Sequence, residues 1–190
     1  MKRKTINHIL TFLLLTMLNF KSFGTAQVPD ILIYEGDTLY IYSNPLEQHP
    51  SIDNLRSNFF GNKQGCSSTA CWREYQAEWT IENNELWLTN VYSCCFSEDN
   101  IKADLQQLFP DKYERGKIKA DWVTAEIVSP QGKLLYYVHM GYASLYEKEV
   151  VYQIVFGHLK DARIYDNTKS KKSIYSQNTN CLQFVYSNIR

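Results

Sequence analysis

Short runs of β-branched and aromatic residues, separated by turn residues, fill most of the chain after position 30. The clearest two runs lie within 72–93, on either side of Asn83 and Asn84. Asparagine tolerates the left-handed backbone conformation that a two-residue hairpin turn requires. The pattern therefore predicts a β-hairpin with its tip at these two residues, in a fold dominated by antiparallel strands.

The position of the tip also sets the expected register of this hairpin. Counting outward gives three cross-strand pairs on one apolar face, which we expect to belong to the core: Ile81 with Leu86, Trp79 with Leu88, and Tyr75 with Tyr92. The opposite face is polar, with Trp87 as its one apolar member: Glu74, Gln76, Glu78, Thr80 and Thr89.

The same signals assign elements to the rest of the chain. Strands are predicted at 31–34, 38–42, 117–128, 133–139, 146–156, 159–165 and 181–187, with a turn at 130–132 and a flexible polar segment at 166–180. Ser51 caps one predicted helix, and Ser97 caps another that Pro110 ends. The expected fold is mainly β, with eight or nine antiparallel strands and two short helices, in a curved sheet, a sandwich or a small barrel.

The first 26 residues have the layout of a secretory signal peptide. A basic start precedes an apolar run at 9–20, and Gly24 and Ala26 supply the small residues of a cleavage site. The run is shorter than the roughly 20 apolar residues that span a bilayer. We therefore expect cleavage without a stable membrane anchor, and a single domain at 27–190 that is periplasmic or secreted.

Removal of this leader would change the charge of the chain. The leader holds four basic residues and no acid, so 16 basic residues remain against 20 acidic ones, a formal net charge of −4. Nucleic-acid affinity comes mainly from clustered Lys and Arg, and no nucleic-acid partner is expected. An acidic surface suits a basic partner, which leaves open an inhibitory or immunity-type role that masks a secreted protein.

The five cysteines are Cys66, Cys71, Cys94, Cys95 and Cys181. Disulfides persist in oxidising compartments, and adjacent cysteines rarely close on each other. We therefore predict that Cys94 and Cys95 bond to Cys66 and Cys71, with the pairing and the role of Cys181 left open. A four-thiolate zinc site is the alternative, but the spacing lacks the usual two-residue separation. No metal or cofactor is expected.

Catalytic signatures are sparse in this sequence. The GxSxG, SxxK and HExxH motifs and a glycine-rich phosphate loop are all missing from it. His139 precedes Gly141 at an expected strand bend, a feature that often redirects side chains at functional sites. If the protein is a secreted hydrolase, His139 would be the general base, oriented by Asp121 or Glu147.

Aromatic content favours a binding role over catalysis. The chain holds 4 Trp, 14 Tyr and 9 Phe, more than a core of this size needs. Exposed aromatic side chains on a rigid sheet suit protein or sugar partners. The predicted binding surface, for an unknown protein or glycan, comprises Trp122, Tyr137, His139, Tyr142 and Glu147.

Four short motifs form a block in the second half of the chain: ADW at 120–122, PQGK at 130–133, YVHMGY at 137–142 and YE at 146–147. The block is similar to one found in a group of small uncharacterised bacterial proteins. The resemblance covers roughly 70–157 and implies a shared β fold around the hairpins. No activity is attached to that group, so the resemblance implies no catalytic role for any residue.

Overall fold

The computed structural model describes residues 25–61, 66, 68–95 and 101–169. Several expectations from the sequence fall outside these residues. They are the leader up to position 24, the helix cap at Ser97, most of the segment 166–180, Cys181 and the strand at 181–187.

One mixed β-sheet contains the nine strands of the described residues, which confirms the predicted mainly β class. The strands are β1 (Asp30–Tyr34), β2 (Asp37–Ile41), β3 (Tyr75–Glu82), β4 (Glu85–Ser93), β5 (Tyr113–Glu114), β6 (Lys117–Lys119), β7 (Ala125–Tyr136), β8 (Leu145–Val155) and β9 (His158–Asp166). Their order is β2-β1-β3-β4-β9-β8-β7, with β6 beside β4 and β5 beside β6. The sheet is not closed into a barrel.

One strand pair departs from the antiparallel pattern. β1 runs parallel to β3, with Leu32 opposite Trp79. β2 returns the chain to the end of the sheet where β1 begins, and the long connection from β2 to β3 then crosses to the other side of β1. That connection contains a 3₁₀-helix (Pro45–Gln48) and the helix α1 (Ile52–Arg56).

The predicted hairpin tip is confirmed, since Asn83 and Asn84 both have positive φ, at 52° and 60°. Ile81 pairs with Leu86 and Trp79 with Leu88, as predicted. The third predicted pair is wrong: Tyr75 lies opposite Ser93, because a register shift between Glu78 and Trp79 takes up one residue.

The same shift moves Tyr92 away from the expected core face. Its hydroxyl donates to Glu78 Oε2 at 3.1 Å, so Tyr92 belongs with the polar side chains. Trp87, the apolar member of the predicted polar face, is only 8% exposed. The ammonium group of Lys117 on β6 lies 4.4 Å from its ring centroid.

The second helix is much shorter than predicted. Helix α2 spans Leu105–Leu108, and the Asp104 side chain caps it by accepting a hydrogen bond from Gln107 N at 3.1 Å. Lys102 forms an isolated β-bridge with Tyr92, so the chain is still extended three residues before the helix. Pairing with β4 therefore takes the place of the predicted helix over 101–103, and the start of the predicted helix lies outside the described residues.

The predicted turn at 130–132 is also wrong. β7 continues through this region, and Pro130 lies opposite Glu149 of β8. The register shifts after Gln131, and Gly132 has a φ of 77°. Here a glycine with positive φ supports a bulge within a long strand instead of a chain reversal.

The core combines buried side chains of the sheet with Leu55, Phe59 and Leu105 from the two helices and the residue stretch after α1. Its largest fully buried side chains include Trp79, Tyr75, Leu32 and Ile127. The outer strands β2 and β7 meet through Tyr42 N, which donates to Val128 O at 2.7 Å. Buried hydrophobic area is the main source of stability in such a fold, at about 25 cal/mol per Å².

Two disulfides join the loop before β3 to the end of β4. Cys66 is bonded to Cys95 and Cys71 to Cys94, which confirms that the adjacent cysteines reach across instead of closing on each other.

Candidate functional site

A buried ion pair lies beneath one of the predicted binding residues, Tyr142. Arg73 Nη2 contacts Asp30 Oδ1 at 2.8 Å, and both side chains are fully buried. Arg73 Nη1 donates to the Tyr142 hydroxyl at 3.1 Å, and Nη2 also donates to Val28 O at 2.7 Å. One guanidinium thus connects β1, the segment before it and the loop that carries Tyr142.

Asp30 has further donors around its carboxylate. Ala77 N donates to Oδ1 at 3.1 Å, and Trp79 Nε1 donates to Oδ2 at 3.2 Å. Burial nevertheless raises the pKa of Asp30 to about 6, although Arg73 and these hydrogen bonds act to lower it. Desolvation of the carboxylate therefore outweighs its favourable partners.

Tyr142 is held on several sides. Its hydroxyl lies 2.9 Å from both Val28 O and Asn44 Oδ1. Its ring stacks on Tyr42, with centroids 5.0 Å apart. Burial is also the main reason that the pKa of Tyr142 is raised. Tyr142 acts mainly as an anchor for its loop.

The segment before β1 fixes the residue next to Tyr142. Gln27 N donates to Gly141 O at 3.2 Å, and Ala26 forms a parallel bridge with Gly141. Within the loop, Val138 N donates to Ser144 Oγ at 3.0 Å. The two ends of the chain between β7 and β8 are therefore bonded to each other, and its middle is attached to the segment before β1.

Large apolar side chains are exposed just before this anchor. Leu134, Tyr136, Tyr137 and Met140 are between 44% and 50% exposed. His139 is also exposed, and its ring centroid lies 5.1 Å from that of Tyr137. A shallow groove of about 420 Å³ runs along 136–139. We call Leu134, Tyr136, Tyr137, His139 and Met140 the aromatic segment.

Trp122 lies in a separate cluster. Its ring packs edge-on against His49, at 4.7 Å, and parallel to Phe109, at 6.4 Å. Next to it, Asp121 accepts a hydrogen bond from Lys112 Nζ at 2.9 Å. Burial lowers the pKa of His49, with a further lowering from Lys112.

Glu147 has a structural partner of its own, because its Oε2 accepts a hydrogen bond from Lys133 N at 3.0 Å, across the bulge in β7. Among the described residues, no hydrogen bond or ion pair joins His139 to Asp121 or Glu147. A general base needs an orienting group within hydrogen-bond reach. Of the predicted site residues, the structure brings Tyr137 and His139 into direct contact.

Sequence reasoning did not single out Asp30 or Arg73. A buried charge almost always requires a charged or hydrogen-bonded partner. Arg73 lies between Cys71 and Tyr75, both buried, and that local setting is the one available signal that its side chain points inward. The identity of its partner, 43 residues earlier, depends on the parallel pairing of β1 with β3.

Neither a membrane-spanning helix nor a metal-binding cluster is found among the residues that the structure describes. No helix in those ranges is long and apolar enough to cross a membrane. No group of three or more His, Cys, Asp or Glu side chains in the same ranges is placed to hold a metal ion.

These features define a disulfide-linked, mixed β domain in which a buried ionic network supports an exposed aromatic segment. No family model matches the chain, and neither the curated proteins nor the solved structures include a significant match to it.

Proposed function

We propose that this protein is an exported domain that binds a partner protein through its aromatic segment. Export is supported by the leader-like residues 1–26 and by the two disulfides, since such bonds persist in oxidising compartments. The observation that carries the binding role is the exposure of four large apolar side chains within seven residues, Leu134 to Met140.

The anchoring of this segment supports recognition. Ordering flexible groups on binding opposes affinity, and a surface that is already ordered avoids much of that loss. The contacts of Gly141 with Gln27, and of Tyr142 with Arg73, fix the chain directly after the exposed residues. The aromatic segment is thus presented at the end of β7 and on the supported loop that follows.

The composition of the segment favours a protein partner over a glycan. Tyr and Met are enriched at the centres of protein interfaces, and tyrosine is among the residues that contribute most to binding energy. Leu134 and Met140 offer no flat ring surface on which a sugar could stack. These two exposed side chains are better suited to pack against the apolar side chains of another protein.

Site-specific photocrosslinking in the natural host tests the proposal. A Tyr137→p-benzoylphenylalanine variant should give one dominant adduct, which mass spectrometry identifies. With that partner purified, Tyr136→Ala and Tyr137→Ala should each weaken binding by about tenfold or more, as for a residue central to an interface.

The matched control is Tyr113, an exposed tyrosine on β5, which is not part of the aromatic segment. The same crosslinker at Tyr113 should not give that adduct, and Tyr113→Ala should leave the affinity unchanged. An absence of adducts from position 137, or identical adducts from positions 113 and 137, would contradict the proposal.

A further inference from the structure

We propose that a second site, in the groove between α1 and α2, binds a neutral disaccharide unit. The groove has a volume of about 520 Å³. Its lining includes side chains from both helices and from the residues that flank them: Asn54, Asn58, Phe60, Lys102, Asp104 and Gln107. None of the residues of the aromatic segment lines this groove, so the two sites are separate.

The groove offers hydrogen-bonding groups that the fold does not use. Within the described part of the chain, the side-chain amides of Asn54 and Gln107 make no hydrogen bond, and both residues are exposed. Each amide provides an acceptor oxygen and two donor hydrogens. Sugar hydroxyls both donate and accept hydrogen bonds, so amides of this kind match them well.

An apolar surface lies beside these amides. Phe60 and Leu108 are half-buried where they line the groove, and the buried Phe59 lines it as well. Small-ligand sites commonly combine aromatic side chains with a few polar groups that fix orientation. A sugar ring has an apolar face of C–H groups and an edge of hydroxyls, which fits this combination.

The charge of the groove favours a neutral ligand. Among the described residues that line it, the charged ones are Lys102 and Asp104, which have opposite signs and lie two residues apart in the sequence. The Lys102 ammonium group lies 4.8 Å from the ring centroid of Tyr92, and Asp104 Oδ1 caps α2. A strongly anionic or cationic ligand would meet a like charge as well as an opposite one.

Titration of the full-length oxidised protein tests the inference, using N,N′-diacetylchitobiose, cellobiose and maltose as separate probes. At millimolar concentrations, at least one disaccharide should cause saturable NMR shifts of the Asn58, Phe60 and Gln107 amides. For that probe, Gln107→Ala should raise the Kd by about 2- to 13-fold, as loss of one hydrogen bond does.

Gln106→Ala is the matched control, because Gln106 is exposed on the same helix and does not line the groove. It should leave the Kd unchanged. Phe60→Ala should also weaken binding, and circular dichroism checks that this variant is folded. The inference is overturned if none of the three probes gives saturable shifts, or if Gln106→Ala weakens binding as much as Gln107→Ala does.

Discussion

Arg73 illustrates how single residues organise this protein. The guanidinium is fully buried, pairs with Asp30, and also donates to Val28 O and the Tyr142 hydroxyl. Removing two charges from water offsets most of their attraction, so a buried ion pair adds little net stability. Loss of one partner is far more harmful, because the other charge is then left buried without compensation.

We therefore expect Arg73→Met to lower the free energy of unfolding by about 3 to 5 kcal/mol. The Arg73→Met and Asp30→Leu double variant should recover much of this loss, because it contains neither charge. Urea unfolding followed by circular dichroism measures both. Equal destabilisation of the single and double variants would show that packing, and not the unpaired charge, dominates.

Asp30 should also give the stability a distinctive pH dependence. Burial raises its pKa to about 6 from the ordinary value of 3.8, so between these values the folded chain retains a proton that the unfolded chain has released. This group's contribution to the free energy of unfolding therefore falls as the pH rises through that window, by about 1.4 kcal/mol per pKa unit.

The measurement compares wild type with Asp30→Asn, which cannot titrate at this position. The stability of the wild type minus that of the variant should decrease from about pH 4 to about pH 6 and be constant above that. An increase over the same window would mean that Arg73 and the hydrogen bonds outweigh burial.

At the scale of elements, the β8–β9 turn depends on close backbone packing. Gly157 has a φ of 73°, and a Cβ built there would lie 2.7 Å from Ala120 O. Gly157 N also donates to Val123 O at 2.8 Å. The turn is thereby attached to the chain that connects β6 with β7.

Gly157→Ala should therefore destabilise the fold by more than the 1 to 3 kcal/mol typical of backbone strain alone, at about 3 kcal/mol or above. Gly116→Ala is the matched control, since Gly116 has a φ of 91° with no atom within 4 Å of a built Cβ. The Gly116→Ala variant therefore has the backbone strain of a positive φ but no clash between the new Cβ and a neighbouring atom. Thermal unfolding measures the loss of stability in both variants. Equal losses would contradict the steric role assigned to the Ala120 carbonyl.

Local sequence patterns predicted the elements that depend on the preferences of nearby residues. The hairpin tip at Asn83 and Asn84 follows from the preference of asparagine for turn conformations. The adjoining cross-strand pairs follow by counting residues outward from this tip. The bulge at Glu78 depends on how β3 and β4 fit the rest of the sheet, and counting could not reveal it. Gly132 gives the same local signal for a turn or a bulge, and the long partner strand β8 decides between them.

The candidate site was less predictable for a related reason. Exposed aromatic residues such as Tyr137 break the apolar alternation of the predicted strand at 133–139, so the sequence singles them out. Arg73, Asp30 and Tyr142 come together only through the parallel pairing of β1 with β3 and the return of the loop after β7. Residue patterns within one segment do not contain such contacts.

At the scale of the whole molecule, the disulfides join the loop before β3 to the residues that follow β4. Each closes a loop of moderate length, with sequence separations of 29 for Cys66–Cys95 and 23 for Cys71–Cys94. A cross-link of this kind stabilises by restricting the unfolded chain, by about 3 kcal/mol. The two loops overlap, so their contributions are not simply additive.

The Cys71→Ser and Cys94→Ser double variant should accordingly unfold with a free energy about 3 kcal/mol below that of wild type under non-reducing conditions. Cys181→Ser serves as the control, because it leaves both bonds intact. Urea titrations with and without reductant measure these differences. Identical midpoints for wild type and the double variant, without reductant, would contradict the expected stabilisation.

The neighbouring positions of Cys94 and Cys95 have a practical consequence for preparing the protein. Cys94 is buried and Cys95 is only partly so, in keeping with the alternation of side chains along an extended chain. An isomer in which the two exchange partners would contain the same number of oxidised thiols and have the same mass. Complete oxidation of a sample is therefore insufficient proof of native linkage, and peptide mapping that separates these two adjacent sulfurs is the appropriate quality criterion.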